Sequence, residues 1–146
     1  MKKISTFSLI VIFLLITGSA YALESTNKNI SVIISDILNH KGNILIGLYN
    51  SPEKFSNIDE SYKNVSVDIE SNTIKYTFQN IPTGTYAISV IHDENDNKTL
   101  DKSFLGIPKE GYGFSNNIRP KFRGANFEES KFEVVDDLTI TINLGY

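Results

Sequence analysis

The chain has 146 residues, with 14 Lys and Arg against 17 Asp and Glu, two His and no Cys. Without a thiol there is no disulfide, no thiolate metal site and no cysteine nucleophile, and the acidic balance argues against nonspecific nucleic-acid binding. The length suits one ordinary domain.

The first segment reads as an address. Lys2 and Lys3 give a basic start, Phe7 to Ile16 is almost wholly apolar, and Ala20-Tyr21-Ala22 has the small-x-small pattern of a signal-peptidase site. The apolar run is shorter than the ~20 residues that a spanning helix needs. Residues 1–22 are therefore expected to be a signal peptide removed after Ala22, with an uncleaved anchor as the alternative. The lipobox cysteine of a lipoprotein is missing. Cleavage would leave 124 residues (146 less 22) carrying 12 basic and 17 acidic side chains, an exported chain in the periplasm or outside the cell with no transmembrane segment.

After a short polar lead, residues 23–29, period-two alternation dominates the domain at 30–146. Ile30, Val32 and Ile34 alternate with Ser31, Ile33 and Ser35, the mark of a half-buried strand. Asn43 to Tyr49 is apolar on both faces and belongs at the centre of a sheet. Ser51-Pro52-Glu53-Lys54 can begin a turn or two of helix, with Ser51 as cap and Pro52 at the first helical position. Further strands are expected at 65–69, 73–78, 85–92, 131–135 and 138–144. In the last, Leu138, Ile140, Ile142 and Leu144 face one way and Thr139, Thr141 and Asn143 the other. Seven such runs and no sustained helical period predict an all-β fold, an antiparallel two-sheet sandwich.

Within it, Phe78-Gln79-Asn80-Ile81-Pro82-Thr83-Gly84-Thr85-Tyr86 predicts a turn, with φ preset at Pro82 and positive φ permitted at Gly84 as in type II. This connection resembles that of transthyretin-like and collagen-adhesin B-type sandwiches, where a Pro-x-Gly turn precedes a strand beginning with Tyr. The resemblance favours that variety over an immunoglobulin-like one.

Residues 93–130 lack clear alternation, and loops beyond ~12–15 residues in compact domains are commonly functional or disordered. The aromatic and apolar content of this segment, Phe104, Leu105, Ile107, Tyr112, Phe114, Phe122 and Phe127, predicts an ordered cover over one end of the sandwich. Its first part spaces oxygen side chains as a hard-cation loop does. Counting from Asp93, calcium ligands would be Asp93, Asn95, Asn97, the Thr99 carbonyl and Asp101 at positions one, three, five, seven and nine. Lys98 stands where glycine makes the sharp turn and Phe104 where a bidentate glutamate belongs, so Glu110 would have to replace that ligand. The competing account is a hairpin loop of Asx turns.

The second part supplies a candidate ligand or partner surface: Glu110, Tyr112, Phe114, Asn116 and Asn117, then Arg119, Lys121 and Arg123 at alternate positions. Rings, amides and a cationic edge suit a glycan, a peptide or an anion such as a lipid phosphate, while the plainer account has glycine and asparagine allowing tight turns and the charges solvated. Of the two histidines, His92 continues the apolar face of Tyr86, Ile88 and Val90, and His40 falls in a turn, so a two-histidine site would need distant positions to meet. Ser103 and Ser115 lack a nucleophile-elbow motif.

His92-Asp93-Glu94-Asn95, the run from Leu105 to Asn117 (LGIPKEGYGFSNN) and Phe127-Glu128 resemble a bacterial secreted family of unknown function, over most of the chain beyond residue 22. The resemblance implies an exported sandwich, and glycine in place of Lys98 in typical members; it supplies no catalytic residues. The expected function is an exported binding or structural module. Two alternatives stand beside it: a hydrolase or metal-dependent enzyme using His92 and nearby carboxylates, and an envelope assembly component using the terminal strand through Tyr146 as a free edge.

Overall fold

The computed structural model describes residues 26–121 and 123–146. The expected signal peptide, the start of the polar lead and Phe122 lie outside the described residues. Eight strands follow in order: β1 Asn27–Ser35, β2 Asn43–Tyr49, β3 Lys63–Asp68, β4 Ile74–Pro82, β5 Gly84–Asp93, β6 Tyr112–Phe114, β7 Phe132–Val134 and β8 Leu138–Asn143. One sheet runs β4-β1-β8; the other runs β3-β2-β5-β6, with β7 paired to the start of β5.

The alternation in the sequence is what builds the core between these sheets. Ile30, Val32 and Ile34 of β1 meet Ile44, Ile46 and Leu48 of β2, Ile88 and Val90 of β5, and Ile142 of β8, all buried. A fully buried side chain of this kind contributes roughly 1.5–3 kcal/mol. β2 is indeed central, lying between β3 and β5. Its second face is covered as well, because Tyr49 packs with Ala87, Phe127 and Phe55 in a smaller cluster. Phe127 arrives there on α1, Phe127–Ser130, which begins with a capping box between Asn126 and Glu129.

Four local expectations change in the structure. β1 and β8 pair in parallel, Ile30 opposite Leu138 through Ser35 opposite Asn143, so the sandwich is not antiparallel throughout. Pro52–Lys54 is a single 3₁₀ turn with Pro at its start, but Ser51 spends its hydroxyl on the Glu53 carboxylate rather than on a backbone N–H. Gly84 does have a positive φ, but at +155° it is far from the value that a type II turn needs, and a bend at Thr83 alone carries the chain from β4 in one sheet to β5 in the other. Finally, segment 93–130 does not simply cap an end: β6 lies against β5, and Tyr112 also pairs with Gly145 just beyond β8, so the segment closes the side between the sheets.

Candidate functional site

The acidic loop leaves β5 at Asp93, whose side chain is fully buried. Asp93 Oδ1 accepts the Asn97 N–H at 3.0 Å and Oδ2 the Lys98 N–H at 2.7 Å. Asn97 Oδ1 accepts both the N–H and the hydroxyl of Thr99, at 2.9 and 2.8 Å. Asn95 Oδ1 accepts the Asn97 N–H at 3.3 Å. The amide groups of Asn95 and Asn97 donate to the two oxygens of Asp101, at 2.8 and 3.1 Å. The side-chain oxygens that the spacing would aim at an ion thus each have a donor within the loop, the arrangement of nested Asx turns. Lys98 adopts φ of 63°, the left-handed conformation that glycine takes at the sixth position of an ion loop.

Glu110 closes this loop. Only 4 % exposed, it accepts the Glu94 N–H at one oxygen and the Asp101 N–H at the other, both at 2.9 Å. A carboxylate sixteen residues from one end of the loop therefore ties its two ends together. No local sequence signal assigns Glu110 that role, and it faces the loop backbone rather than a ligand surface.

His92, also fully buried, has Nε2 2.9 Å from the Lys41 carbonyl, which can only accept, so this nitrogen carries the proton. In the singly protonated ring Nδ1 accepts the Tyr146 hydroxyl at 2.6 Å, and the Leu38 N–H donates to that same phenol oxygen at 3.2 Å. Burial pushes the Tyr146 phenol above its ordinary value, which favours its role as donor. Both ring nitrogens are engaged in holding the C-terminal residue to the β1–β2 connection. Ser115 Oγ, likewise buried, accepts the Ile88 N–H at 2.9 Å and donates to the Ser130 carbonyl at 2.5 Å. Ser103 Oγ accepts the Ile107 N–H at 3.2 Å. The hydroxyls of Ser103 and Ser115 thus serve the backbone around them.

The expected ligand surface divides in two. Asn116, Asn117 and Arg119 are staples: Asn116 donates to the carbonyls of Glu129 and Lys131 at 3.1 and 3.0 Å. Asn117 donates to the Thr141 carbonyl at 3.1 Å and accepts the Asn143 N–H at 2.8 Å, while Arg119 donates to the Asn143 carbonyl at 2.5 Å. These bonds occupy the outer edge of β8 from Thr141 to Asn143. Arg123 forms a bidentate pair with Glu129 at 2.8 and 2.6 Å, and that guanidinium holds the Glu129 carboxyl down at about 2.

The remainder forms a groove. Tyr112, Phe114 and Lys121 join Leu100, Lys102 and Ile107 around a cavity of about 450 Å³. A second cavity of about 290 Å³ shares Leu100, Lys102, Tyr112 and Phe114 with it and adds Lys98 and Asp59. The ion pairs among the described residues involve Lys28, Arg123 and Lys131, and so leave Lys98, Lys102 and Lys121 unpaired there. Lys98, Leu100 and Lys102 carried no binding signal in the sequence, because their place in the groove comes from the fold of the acidic loop.

No curated protein and no solved structure matches the chain. Residues 32–143 match the model of a family described as uncharacterized protein conserved in bacteria (DUF2141). That span takes in every strand but the first residues of β1, and the chain belongs to this bacterial family.

Proposed function

We propose that this chain is an exported β-sandwich module that binds an anionic partner in the groove built by residues 98–123. The observation that carries the reading is the groove itself, where the half-buried Tyr112, backed by the buried Phe114, offers ring surface and Lys102 and Lys121 offer charge. Rings with nearby cations suit a ligand with an apolar face and acidic groups, such as an acidic glycan or peptide. The acidic loop enters as scaffold, since the oxygens of Asp93, Asn95, Asn97 and Asp101 are used within the loop or on its amides. Export is supported by the order of basic start, apolar run and Ala20-Tyr21-Ala22 in the first residues. The Pro82-to-Tyr86 connection favours the transthyretin-like or collagen-adhesin B-type variety of sandwich.

Two measurements test the reading. Intact mass of the protein from its native host should correspond to a chain beginning at Leu23; a product that retains Met1 sinks the export half. An oligogalacturonide titrated into the Leu23–Tyr146 chain, followed by amide chemical shifts, should perturb Tyr112, Phe114 and Lys102 and lose its effect in a Lys102→Gln, Lys121→Gln double variant. Shifts absent from the groove, or unchanged by the double variant, would remove the groove from the function.

A further inference from the structure

The strand-free part of the binding segment ends in a small hairpin. Lys102 bridges to Pro108, the Ser103 N–H donates to the Ile107 carbonyl at 2.7 Å, and the Lys109 N–H donates to the Asp101 carbonyl at 2.9 Å. At its tip the Gly106 N–H donates back to the Ser103 carbonyl at 2.9 Å, with φ of +78° at Gly106. Three large apolar side chains project from this tip: Phe104 is 96 % exposed, Leu105 69 % and Ile107 59 %. Leu38 and Val135 are exposed elsewhere, Leu38 beside Tyr146 and Val135 between β7 and β8. Isolated apolar residues on a surface are ordinary, but a contiguous group on a projecting turn marks an interaction site.

Charge around the tip is opposite to that of the molecule. Residues 98–123 contain Lys98, Lys102, Lys109, Arg119, Lys121 and Arg123 against Asp101 and Glu110, a balance of six to two. The rest of the chain from Leu23 onward holds six basic and fifteen acidic residues. Of the six bases Arg119 is held by the Asn143 carbonyl and Arg123 by the Glu129 carboxylate, which leaves Lys98, Lys102, Lys109 and Lys121 exposed and without an ion pair among the described residues, while Asp101 and Glu110 turn toward the amides of the acidic loop. Lys102 and Lys121 both line the cavity that Leu105 and Ile107 border. A convex apolar tip in a collar of lysines, on an otherwise acidic protein, matches the layering of an anionic bilayer, with acyl chains beneath negative headgroups. Lysine stems can lie along apolar surface while their ammonium groups stay among the headgroups.

We infer that the Phe104-Leu105-Gly106-Ile107 hairpin inserts into the surface of an anionic lipid bilayer, with Lys102, Lys109 and Lys121 pairing with the headgroups. This rests on the reading of residues 98–123 as the binding surface and names its partner. Phe104 and Leu105 supply insertion, and the lysines supply selection for negative lipid. The groove behind the tip then opens at the membrane surface.

The chain contains no tryptophan, so Phe104→Trp in the Leu23–Tyr146 chain gives a single tryptophan at the tip, excited apart from the tyrosines at the red edge of the absorption band. The probes are vesicles of phosphatidylcholine alone and of phosphatidylcholine mixed with phosphatidylglycerol. With the mixed vesicles the emission should shift to the blue and become quenchable by bromine on the acyl chains. With phosphatidylcholine alone binding should be weak. In co-sedimentation, Phe104→Ser with Leu105→Ser should bind at least tenfold less, and Lys102→Gln and Lys121→Gln should each cost about fivefold, with salt weakening what remains. Circular dichroism of these surface variants should match that of the unaltered chain. No blue shift with mixed vesicles, or sedimentation unaffected by the tip variant, overturns the inference. If the groove still responds to the oligogalacturonide in that case, only the lipid assignment falls; if neither probe binds, the binding reading falls with it.

Discussion

Replacing Glu110 by Gln tests how the candidate surface is held. The carboxylate accepts two backbone N–H groups, from Glu94 and Asp101, each at 2.9 Å. Hydrogen bonds to a charged acceptor are worth ~1.5–3 kcal/mol each. Gln keeps one oxygen for one N–H but turns an NH₂ donor toward the other, which loses one bond and leaves two donors facing each other. We expect a loss of about 2–3 kcal/mol, since the site is nearly closed to water and the facing donors have little access to it. For a domain of this size that lowers Tm by roughly 8–12 °C. Urea denaturation gives the free energy, and hydrogen exchange at the Glu94 and Asp101 amides localises it. A loss below about 0.5 kcal/mol, the usual scatter of surface changes, with protection unchanged at both amides would refute the clamp.

Three further outcomes follow from the same geometry. Lys98→Gly should raise stability by a few tenths of a kcal/mol, the left-handed strain of about 1 kcal/mol being partly offset by the unfolded-state freedom of Gly. Thermal melts with and without calcium should give the same gain, and a gain that appears only with calcium would return the loop to ion binding. Gly42→Ala should cost about 3 kcal/mol or more in a urea titration, because Gly42 has φ of +61° and an added Cβ would lie 1.8 Å from the Asp93 carbonyl oxygen. For pH, the hydrogen bond from Arg123 lowers the half-buried Glu129 carboxyl from 4.5 to about 2. Its contribution is present above 4.5 and lost as pH falls toward 2, so the Tm difference between the unaltered chain and Arg123→Gln should shrink through that window.

Strands were legible wherever one face alternates with another. The seven expected runs overlap seven observed strands, because Ile30, Val32 and Ile34, or Leu138, Ile140 and Ile142, each mark a buried face at period two. β6 was not legible, since Tyr112-Gly113-Phe114 is too short to establish a period. Nor was the parallel partnership of β1 with β8, a pairing between residues 108 positions apart that no local pattern encodes. In the candidate site, the oxygen spacing of the acidic loop was visible but its use was not. Asp and Asn at alternate positions suit an ion and a set of Asx turns equally, and the choice rests on where the N–H groups of Asn97, Lys98 and Thr99 fall. Apolar content likewise could not separate Phe114 and Phe127, which are buried, from Phe104, Leu105 and Ile107, which project.

The two halves of segment 93–130 that looked like separate sites are one construction. The loop from Asp93 to Asp101 folds on its own side chains, and Glu110 ties its ends together. One of those ends is also a foot of the hairpin, because Asp101 accepts the Lys109 N–H through its carbonyl. Lys98, Lys102, Lys109 and Lys121 are exposed on this construction and make no ion pair among the described residues. Weakening the clamp should therefore disturb the position of the lysines and of Phe104 before it unfolds the sandwich, since the core of β1, β2, β5 and β8 packs without any residue of the loop. A Glu110→Gln variant that keeps its far-ultraviolet circular dichroism yet loses groove and vesicle binding would separate the binding surface from the fold that carries it.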